Sequence, residues 1–568
     1  MQNIHHKFIK KALKKSFPST ERFLKFKKQF YNGNKLPQPT NADIRELYEK
    51  MITQKKIKRK QSLEKVMLSR GVRTQSGVAV VAVLTKPYAC PGKCAFCPTE
   101  ENMPKSYLSN EPAVMRAIMN KFSPYKQIQS RLHALMINGH LTNKIELIVM
   151  GGTFSYFPKQ YQTWFIKECF RACNEYKRGI NIKKVVSQRK TKKNLLQEQK
   201  KNEKAKTRIV GLTLETRPDW INKKEIINFR RLGCTRVELG VQSIYDEILK
   251  KNRRGHLTQA TIQATKLLKE AGFKINYHMM PGLYGSTPFH PLRRAQRMQG
   301  KGGHPPFREK EDGGFSDFKM FKELFTNPDY QPDMLKIYPT VVIKHTPLYH
   351  WWKQGKYKPL DNKTFEKLVI RIKNEAIPPY TRIQRLVRDV PLPSIEAGPT
   401  ISNLRQVVAP KAHCQCIRCR EIKGKYQSTS KIFLHRINYP ASDGQEIFLQ
   451  FTDKENRLYA LLRLRINQPK TTPKNNSKFQ IPNSKFITYP SIIREVHTYG
   501  KLASIGERDK NSPQHIGLGK KLLKEAERIT KEEFGLNKIA IISGIGVRDY
   551  YRKNGYRLQN TYMVKKLN

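Results

Sequence analysis

The chain has 568 residues, with 109 Lys plus Arg against 45 Asp plus Glu and a formal net charge of +64. That length exceeds what one hydrophobic core supports, and a hydrophobic fraction of 38% excludes a wholly disordered basic tail. The charge predicts a polyanionic partner, nucleic acid first, with a lysine-biased proteome as the bland alternative.

Residues 1–70 hold 19 Lys/Arg and five Asp/Glu, with Phe23, Leu24, Phe26 and Phe30 interleaved as on amphipathic helices. Two readings stay open for this segment: a solvated helical hairpin or an RNA-contacting extension. From about residue 71 the texture changes. Val78–Leu84, Ile145–Met150, Ile209–Leu214, Arg236–Gly240 and Ile275–Met280 read as buried strands, with helices such as Lys223–Leu232 and Thr258–Ala271 between them. This alternation predicts parallel βα units in an open sheet or barrel. Lys183–Arg208, with 11 Lys/Arg and two acids, reads as an exposed helix or arm. Phe289–Phe315 and Gln468–Pro490 read as loops, the second inside a smaller α/β region from about 431 to 568.

The longest apolar run, Val78–Leu84, is far below the roughly 20 residues of a membrane span. The basic N-terminus lacks a following apolar stretch, so no secretory signal is expected. Nine cysteines, six of them in two tight clusters, suit metal ligation in a reducing cytoplasm better than a disulfide framework. Cys169, Cys173 and Cys234 read as core residues.

Cys90-Pro-Gly-Lys-Cys94-Ala-Phe-Cys97 is a C-x3-C-x2-C run just after a strand. Three thiolates from one loop can hold three irons of a [4Fe–4S] cluster and leave the fourth open to S-adenosylmethionine (SAM). A zinc knuckle is the alternative, but no close His or Cys offers a fourth ligand. The spacing matches the radical-SAM superfamily. Downstream strands end in polar motifs: Gly151-Gly152-Thr153, Glu215-Thr-Arg217-Pro-Asp219, Glu238 to Gln242-Ser243, and His278 to Pro281-Gly282. Such a rim is where ligands bind in parallel α/β folds. In the tail, Gln514-His515-Ile516-Gly517-Leu518-Gly519-Lys520 opens a helix, and bare amides at a helix N-terminus suit a pyrophosphate. With Tyr550-Tyr551 to Gly555-Tyr556 beyond it, this arrangement resembles the Gcn5-related N-acetyltransferase fold.

Both halves together resemble the catalytic subunit family of Elongator in its stand-alone archaeal and bacterial form. The resemblance spans about residues 71–567 and includes Arg73–Ala82, Leu212–Asp219, Asp333–Pro339, Ile395–Gly398, Ser402–Arg405 and Tyr550–Tyr556. It implies a partial (βα) barrel joined to an acetyltransferase-like α/β domain. It also implies a tRNA-modifying enzyme that makes 5-carboxymethyluridine at the wobble position from acetyl-CoA and SAM. By motif match, Cys90, Cys94 and Cys97 would bind the cluster. Gly151, Gly152, Thr153, Glu215, Arg217, Gln242 and His278 would face SAM. Lys86 and Lys336 would stand near the SAM or acetyl-CoA end. His497, Tyr499, Tyr550 and Tyr551 would line the acetyl group, and His515–Lys520 would carry the CoA pyrophosphate. Uridine C5 is not acidic, so a carbon must be added there by radical chemistry, which the cofactor supplies while the protein supplies placement.

The implied domains are a tRNA-binding extension over 1–70, a radical-SAM domain over 71–400 with insertions near 183–208 and 289–315, a zinc junction over 401–430, and the acetyltransferase-like domain over 431–568. His413-Cys414-Gln-Cys416-Ile-Arg-Cys419 would hold structural zinc with an unassigned fourth ligand, a second iron–sulfur cluster being the rival. The expected partners are tRNA, gripped also by the 183–208 arm, and an electron-donor protein; a homodimer is left open, and the expected compartment is the cytoplasm. Two departures stand out: Tyr284 replaces a proline common in the family, and some members have a longer Cys90–Cys94 spacing. A protein lysine acetyltransferase with a structural iron–sulfur domain, and a non-catalytic RNA-binding subunit, are the rival readings.

Overall fold

The computed structural model describes residues 2–68, 77–177, 193–287, 316–423, 431–467, 488–500 and 517–568. Arg73–Ser76, the 289–315 insertion, nearly all of Gln468–Pro490, and Gln514, His515 and Ile516 therefore lie outside the described residues.

Four helices, Gln2–Lys14, Thr20–Gly33, Asn41–Thr53 and Gln61–Val66, precede the first strand. They are more than a solvated hairpin. Phe8, Phe23, Tyr31 and Tyr48 are fully buried and form a core of their own with Ile44 and Met51. The lysines keep to the outside because each helix buries only one stripe, and an N-cap at Ser19 and a capping box at Thr40/Asp43 start two of the helices.

The first sheet has seven strands in sequence order: β1 (Ala79–Leu84), β2 (Lys144–Met150), β3 (Arg208–Thr216), β4 (Arg236–Gln242), β5 (Lys274–Met279), β6 (Met334–Ile337) and β7 (Arg382–Arg385). Every neighbouring pair is parallel. Sequential order without reversal gives a half-barrel whose outer face packs on helices through Ile145, Leu147, Leu214, Val237 and Ile275. The residues between these, Glu146, Glu215, Glu238, Asn276 and Lys336, point the other way, into the interior.

The second sheet is mixed. It contains β8 (Phe433–Ala441), β9 (Gly444–Thr452), β10 (Leu458–Asn467), β11 (Ser491–Thr498), β12 (Lys538–Ile541), β13 (Arg557–Gln559) and β14 (Tyr562–Lys566), in the order β13-β14-β12-β11-β10-β9-β8. Only β11 and β12 run parallel. One face packs on the helix Leu518–Arg528 through Leu522, Leu523 and Ala526. The other joins the half-barrel core through Ile492, Ala540 and Tyr562. A fully buried charge pair fixes this joint: Arg494 on β11 places Nη1 and Nη2 2.9 and 2.5 Å from the two oxygens of Asp333, just before β6. Asp333 Oδ2 also accepts the Ile275 amide at 2.9 Å.

The exposed helix or arm expected over Lys183–Arg208 is a helix in its described part, but a docked one. Residues 183–192 lie outside the described residues, but Leu195–Asn202 is a helix with Leu195, Glu198, Gln199 and Asn202 buried. Those four sit at i, i+3, i+4 and i+7, a stripe that a charge count does not register. Glu203 then ties this segment to the second sheet's domain, 3.1 Å from Arg548 and 2.7 Å from Arg552.

Candidate active site

The loop after β1 brings three thiols to the upper rim of the half-barrel. Cys90 Sγ lies 3.7 Å from the hydroxyl of Thr153, which follows β2. Cys94 is buried, with Sγ 3.3 Å from Arg254 Nη1 and 4.0 Å from Arg217 Nη1. Burial and the neighbouring Cys94 push the Cys97 thiol up to about 11. These thiols are not drawn to one point, as ligands of a single ion would be, and arginines face them. A polynuclear iron–sulfur cluster fits this donor set: it spaces its thiolates widely, carries negative charge and removes the thiol protons. Arg217 is held for this by a bidentate pair with Asp219, both contacts at 2.9 Å, and a 2.9 Å bond to the Arg254 carbonyl.

Below the thiols, inside the sheet, lies a compact charged group. Lys336 pairs with Glu238 and stands 3.7 Å from Glu215. His278 Nε2 is 3.0 Å from Glu238, and the Tyr107 hydroxyl donates to Glu215 at 2.8 Å. Glu215, Glu238 and His278 gather their donor atoms within 4.8 Å, but the Lys336 ammonium already supplies the cation there. Burial pushes Glu215 up to about 7. Burial and then the Lys336 charge press His278 down to about 4, which keeps it neutral. Burial opposes charge on Glu238 too, yet Lys336 holds it ionised, well below the carboxylate range.

At the opposite, lower end a cavity of about 1350 Å³ opens between the two sheets. Its lining is basic: Arg208, Lys274, Arg382, Arg405, Arg418 and Lys520 all face it. From the second sheet come His497 and Tyr499, whose rings lie 4.3 Å apart, together with Tyr550 and Tyr551. Arg382 pairs with Glu421 and places Nη1 3.4 Å from the Tyr499 hydroxyl. Gly517, at φ +79, leads into the helix Leu518–Arg528, and nothing among the described residues lies within 4 Å of where a side chain would start. At Gly519 a Cβ would stand 3.1 Å from the Tyr550 hydroxyl. A bare helix entrance beside lysine is chemically suited to phosphate.

The Radical SAM superfamily model matches residues 85–293, and the Radical_SAM C-terminal domain model matches residues 332–412. A "tRNA uridine(34) acetyltransferase" of Methanocaldococcus infernus is 43% identical over 528 residues, 89% of each chain. One from Dehalococcoides mccartyi is 42% identical over 503 residues, 87% of this chain and 99% of its own. The human "Elongator complex protein 3" is 36% identical over 520 residues, 88% and 86% of the two chains. The chain belongs to the Elongator complex protein 3 family. Among solved structures, the Methanocaldococcus infernus Elp3 with an N-terminus deletion (1-46) matches with TM-score 0.67 and 40% identity, covering 87% of this chain and all of that one.

Within that family fold, the residues expected from sequence divide into three groups. Glu215, His278 and Lys336 converge above, while His497, Tyr499, Gly517, Gly519, Lys520, Tyr550 and Tyr551 share the cavity below. Cys414, Cys416 and Cys419 bring their Sγ atoms within 4.8 Å of one another, and Cys414 and Cys419 line the same cavity. That donor set fits three ligands of one zinc ion. His413 is not among the gathered donors; its backbone amide donates to Asn374. Lys373 stands 3.4 Å from Cys419 Sγ.

Other expected residues have different surroundings. Lys86 is exposed and rests its ammonium 5.1 Å from the Tyr161 ring centre, apart from the Lys336 group. Gly151, at φ +127, is needed for packing, because a Cβ would fall 2.0 Å from the Thr85 hydroxyl oxygen. Among the described residues Gly152, at φ +94, meets only the Lys105 carbonyl at 3.5 Å, which leaves the approach open. Gln242 takes φ +72 where β4 shifts register against β5. Sequence reasoning missed Glu146, Arg236, Asn276, Arg382 and Glu421. Their signal was available for β4 and β5: Arg236-Val-Glu238 and Lys274-Ile-Asn276-Tyr-His278 alternate polar with apolar, the mark of a strand with one polar buried face.

Proposed function

We propose that this chain modifies the wobble uridine of tRNA, building 5-carboxymethyluridine from acetyl-CoA by radical-SAM chemistry. The observation that carries the reading is that a thiol rim suited to an iron–sulfur cluster and a basic cavity suited to CoA and RNA lie at the two ends of one half-barrel interior. When bound, the cluster and SAM supply the one-electron chemistry that an unactivated uridine C5 requires. Cys90, Cys94 and Cys97 hold the cluster, with Arg217 and Arg254 offsetting its charge. Gly152, Thr153, Glu215, Gln242 and His278 form the SAM side, and Lys336 keeps that group charge-balanced.

In the cavity, Gly517–Lys520 with the adjoining Gln514–Ile516 receives the CoA pyrophosphate. Tyr550 and Tyr551 border the acetyl arm. In this reading Tyr499, backed by Arg382, holds the thioester oxygen, and His497 accepts a proton from the hydrolytic water. Cys414, Cys416 and Cys419 bind zinc at the junction. The basic N-terminal helices hold the tRNA stem through phosphates, so binding falls steeply with salt. An electron-donor protein reduces the cluster, and the enzyme works in the cytoplasm. No helix among the described residues is long and apolar enough to cross a membrane.

Mass spectrometry of wobble nucleosides, in cells with and without this gene, tests the reading; the modified nucleoside should disappear with the gene. Gly517→Glu should abolish CoA binding and the product while leaving tRNA binding and uncoupled SAM cleavage in place. Robust tRNA-independent acetyl transfer to protein lysines would overturn the reading in favour of a lysine acetyltransferase.

A further inference from the structure

The rim beside the thiols carries a row of six aromatic rings that the proposed chemistry does not use. Trp220 follows β3, Tyr156 and Phe157 follow β2, and Tyr88 follows β1, so three successive strand ends supply them. Tyr161 and Trp164 continue the row on the first two turns of the helix Lys159–Glu175, which packs on the outer face of the sheet through Phe165 and Ile166. Neighbouring ring centres lie 5.0 Å apart for Trp220 and Tyr156, and 5.9 Å for Tyr156 and Tyr88. The next spacings are 4.5 Å from Tyr88 to Phe157, 4.7 Å from Phe157 to Tyr161 and 5.5 Å from Tyr161 to Trp164. Rings at such spacings attract one another, and the Tyr161 hydroxyl accepts the Lys86 amide at 3.1 Å, tying the helix to the loop after β1. The row is therefore ordered, yet it is not a core. Phe157 is buried beneath it, whereas among the described residues Tyr88 and Trp164 are 39% and 42% exposed. A contiguous exposed apolar surface of this kind marks a contact site. Cations border it. Lys86 holds its ammonium 5.1 Å from the Tyr161 ring centre, Lys93 and Lys224 are exposed, and Arg231 donates to the hydroxyl of Thr163, next to Trp164, at 2.7 Å. The acids on the same elements are already matched: Glu225 by Lys159, Asp219 by Arg217 and Glu168 by Arg171.

Resting on the reading of the three thiols as a cluster site, we propose that this row is where the electron donor docks, and that the donor is a small acidic redox protein. Tyr88 stands two residues before Cys90, so their Cα atoms are at most about 7 Å apart. Electron tunnelling falls off exponentially with distance, so a donor has to lie against the loop that holds the cluster. The inner side of that loop belongs to SAM, and the row lies on its outer side. An apolar centre with a cationic border complements an acidic protein and steers it into place. Redox encounters bury less than about 1,200 Å², so a surface of this extent is enough. One electron leaves the donor and one enters the cluster, and no bond forms or breaks. The rings neither gain nor lose an electron; they seat the donor. RNA, the other polyanion, is served by the basic cavity at the opposite end of the half-barrel.

The test uses the reconstituted holoenzyme, with an acidic flavodoxin and an acidic ferredoxin as protein probes and dithionite as the small-molecule reductant. Affinity is read by titration calorimetry at low and high salt, and cluster reduction by stopped-flow loss of iron–sulfur absorbance. We expect at least one of the two proteins to bind, with an affinity that falls as salt rises. Trp164→Glu should weaken that binding and slow protein-driven reduction at least about 10-fold, with dithionite-driven reduction and anticodon stem-loop affinity unchanged. Trp164→Phe should restore both to within about 3-fold of the wild type, because the ring is what seats the donor. Met119→Glu puts the same charge on another exposed apolar surface, the helix Pro112–Met119, and should change none of these quantities. Protein-driven reduction left intact in Trp164→Glu, or a wild type that binds neither probe, would overturn the docking site. Stem-loop affinity lost in Trp164→Glu while protein-driven reduction persists would overturn it too, and would give the row to RNA. A wild type in which dithionite finds no cluster to reduce would overturn the functional reading and the docking site with it.

Discussion

The two cysteine triads of this chain look alike as text and differ as geometry. Cys414, Cys416 and Cys419 lie on a tight turn into the short helix Ile417–Arg420 and close to within 4.8 Å. Cys90, Cys94 and Cys97 spread along a loop, each beside a different partner: a threonine hydroxyl, two arginines, and the carbonyl of Pro98. Spacing alone does not separate them, since both sets share a two-residue gap and a single zinc ion tolerates gaps of two to four residues. The distances between the thiols report the size of what each set can hold, and the surroundings report its charge.

The largest expected effect breaks this comparison at its functional end. Cys94→Ala should abolish the iron–sulfur absorbance and reduce SAM cleavage by at least about 100-fold, while zinc at the junction persists; full cluster absorbance would refute the assignment. Next, replacing Cys414, Cys416 and Cys419 together should remove zinc, seen by metal analysis, and lower the midpoint of thermal unfolding, with the cluster retained. A smaller effect concerns protonation beside the spread triad. Burial raises Glu215 to about 7, so the folded state holds a proton that the unfolded state releases at lower pH, and stability from this group is lost as pH rises towards neutral. Glu215→Gln should reduce the stability lost between pH 5 and 8 by about 1–3 kcal/mol, measured by denaturant titration. His278, at about 4, acts in the opposite direction: its contribution is lost as pH falls below roughly 6.5. The smallest effect is a control with cysteines that hold nothing. Cys169→Ala, at a fully buried position, should cost about 1 kcal/mol and leave both metals untouched.

Much of the fold was legible because apolar runs and alternation mark strands directly. The five expected strands of the half-barrel all form, each within about two residues of its expected start and end. The strand Arg382–Arg385 was not legible: a four-residue segment with arginine at both ends carries no apolar period, and its pairing with β6 is what orders it. The exposure of the Leu195–Asn202 helix was misjudged because the lysines of the surrounding 183–208 stretch dominate its composition, although its buried stripe is the feature that docks it. At the site, motifs at strand ends marked the upper rim and the tail. The interior polar wall was hidden for a different reason. Glu146, Arg236 and Asn276 belong to no motif; alternation marks Arg236 and Asn276 as facing one way, but which groups they meet follows only from the parallel register. The cavity lay further still out of reach, since its walls come from both sheets.

Arg494 and Asp333 bind those sheets together where no water reaches them. Separating the two halves would break a buried ionic network, in which Arg494 also lies 2.8 Å from Glu446 and Asp333 lies 3.5 Å from Arg463, and would expose the apolar faces that join the sheets, so neither half has a comfortable existence without the other. The molecule should melt once, as a unit, and a lesion in the tail should condemn the half-barrel to the same proteolytic fate. Substrates must come and go through the flanks of the cavity, because the joint behind it is a weld and not a hinge.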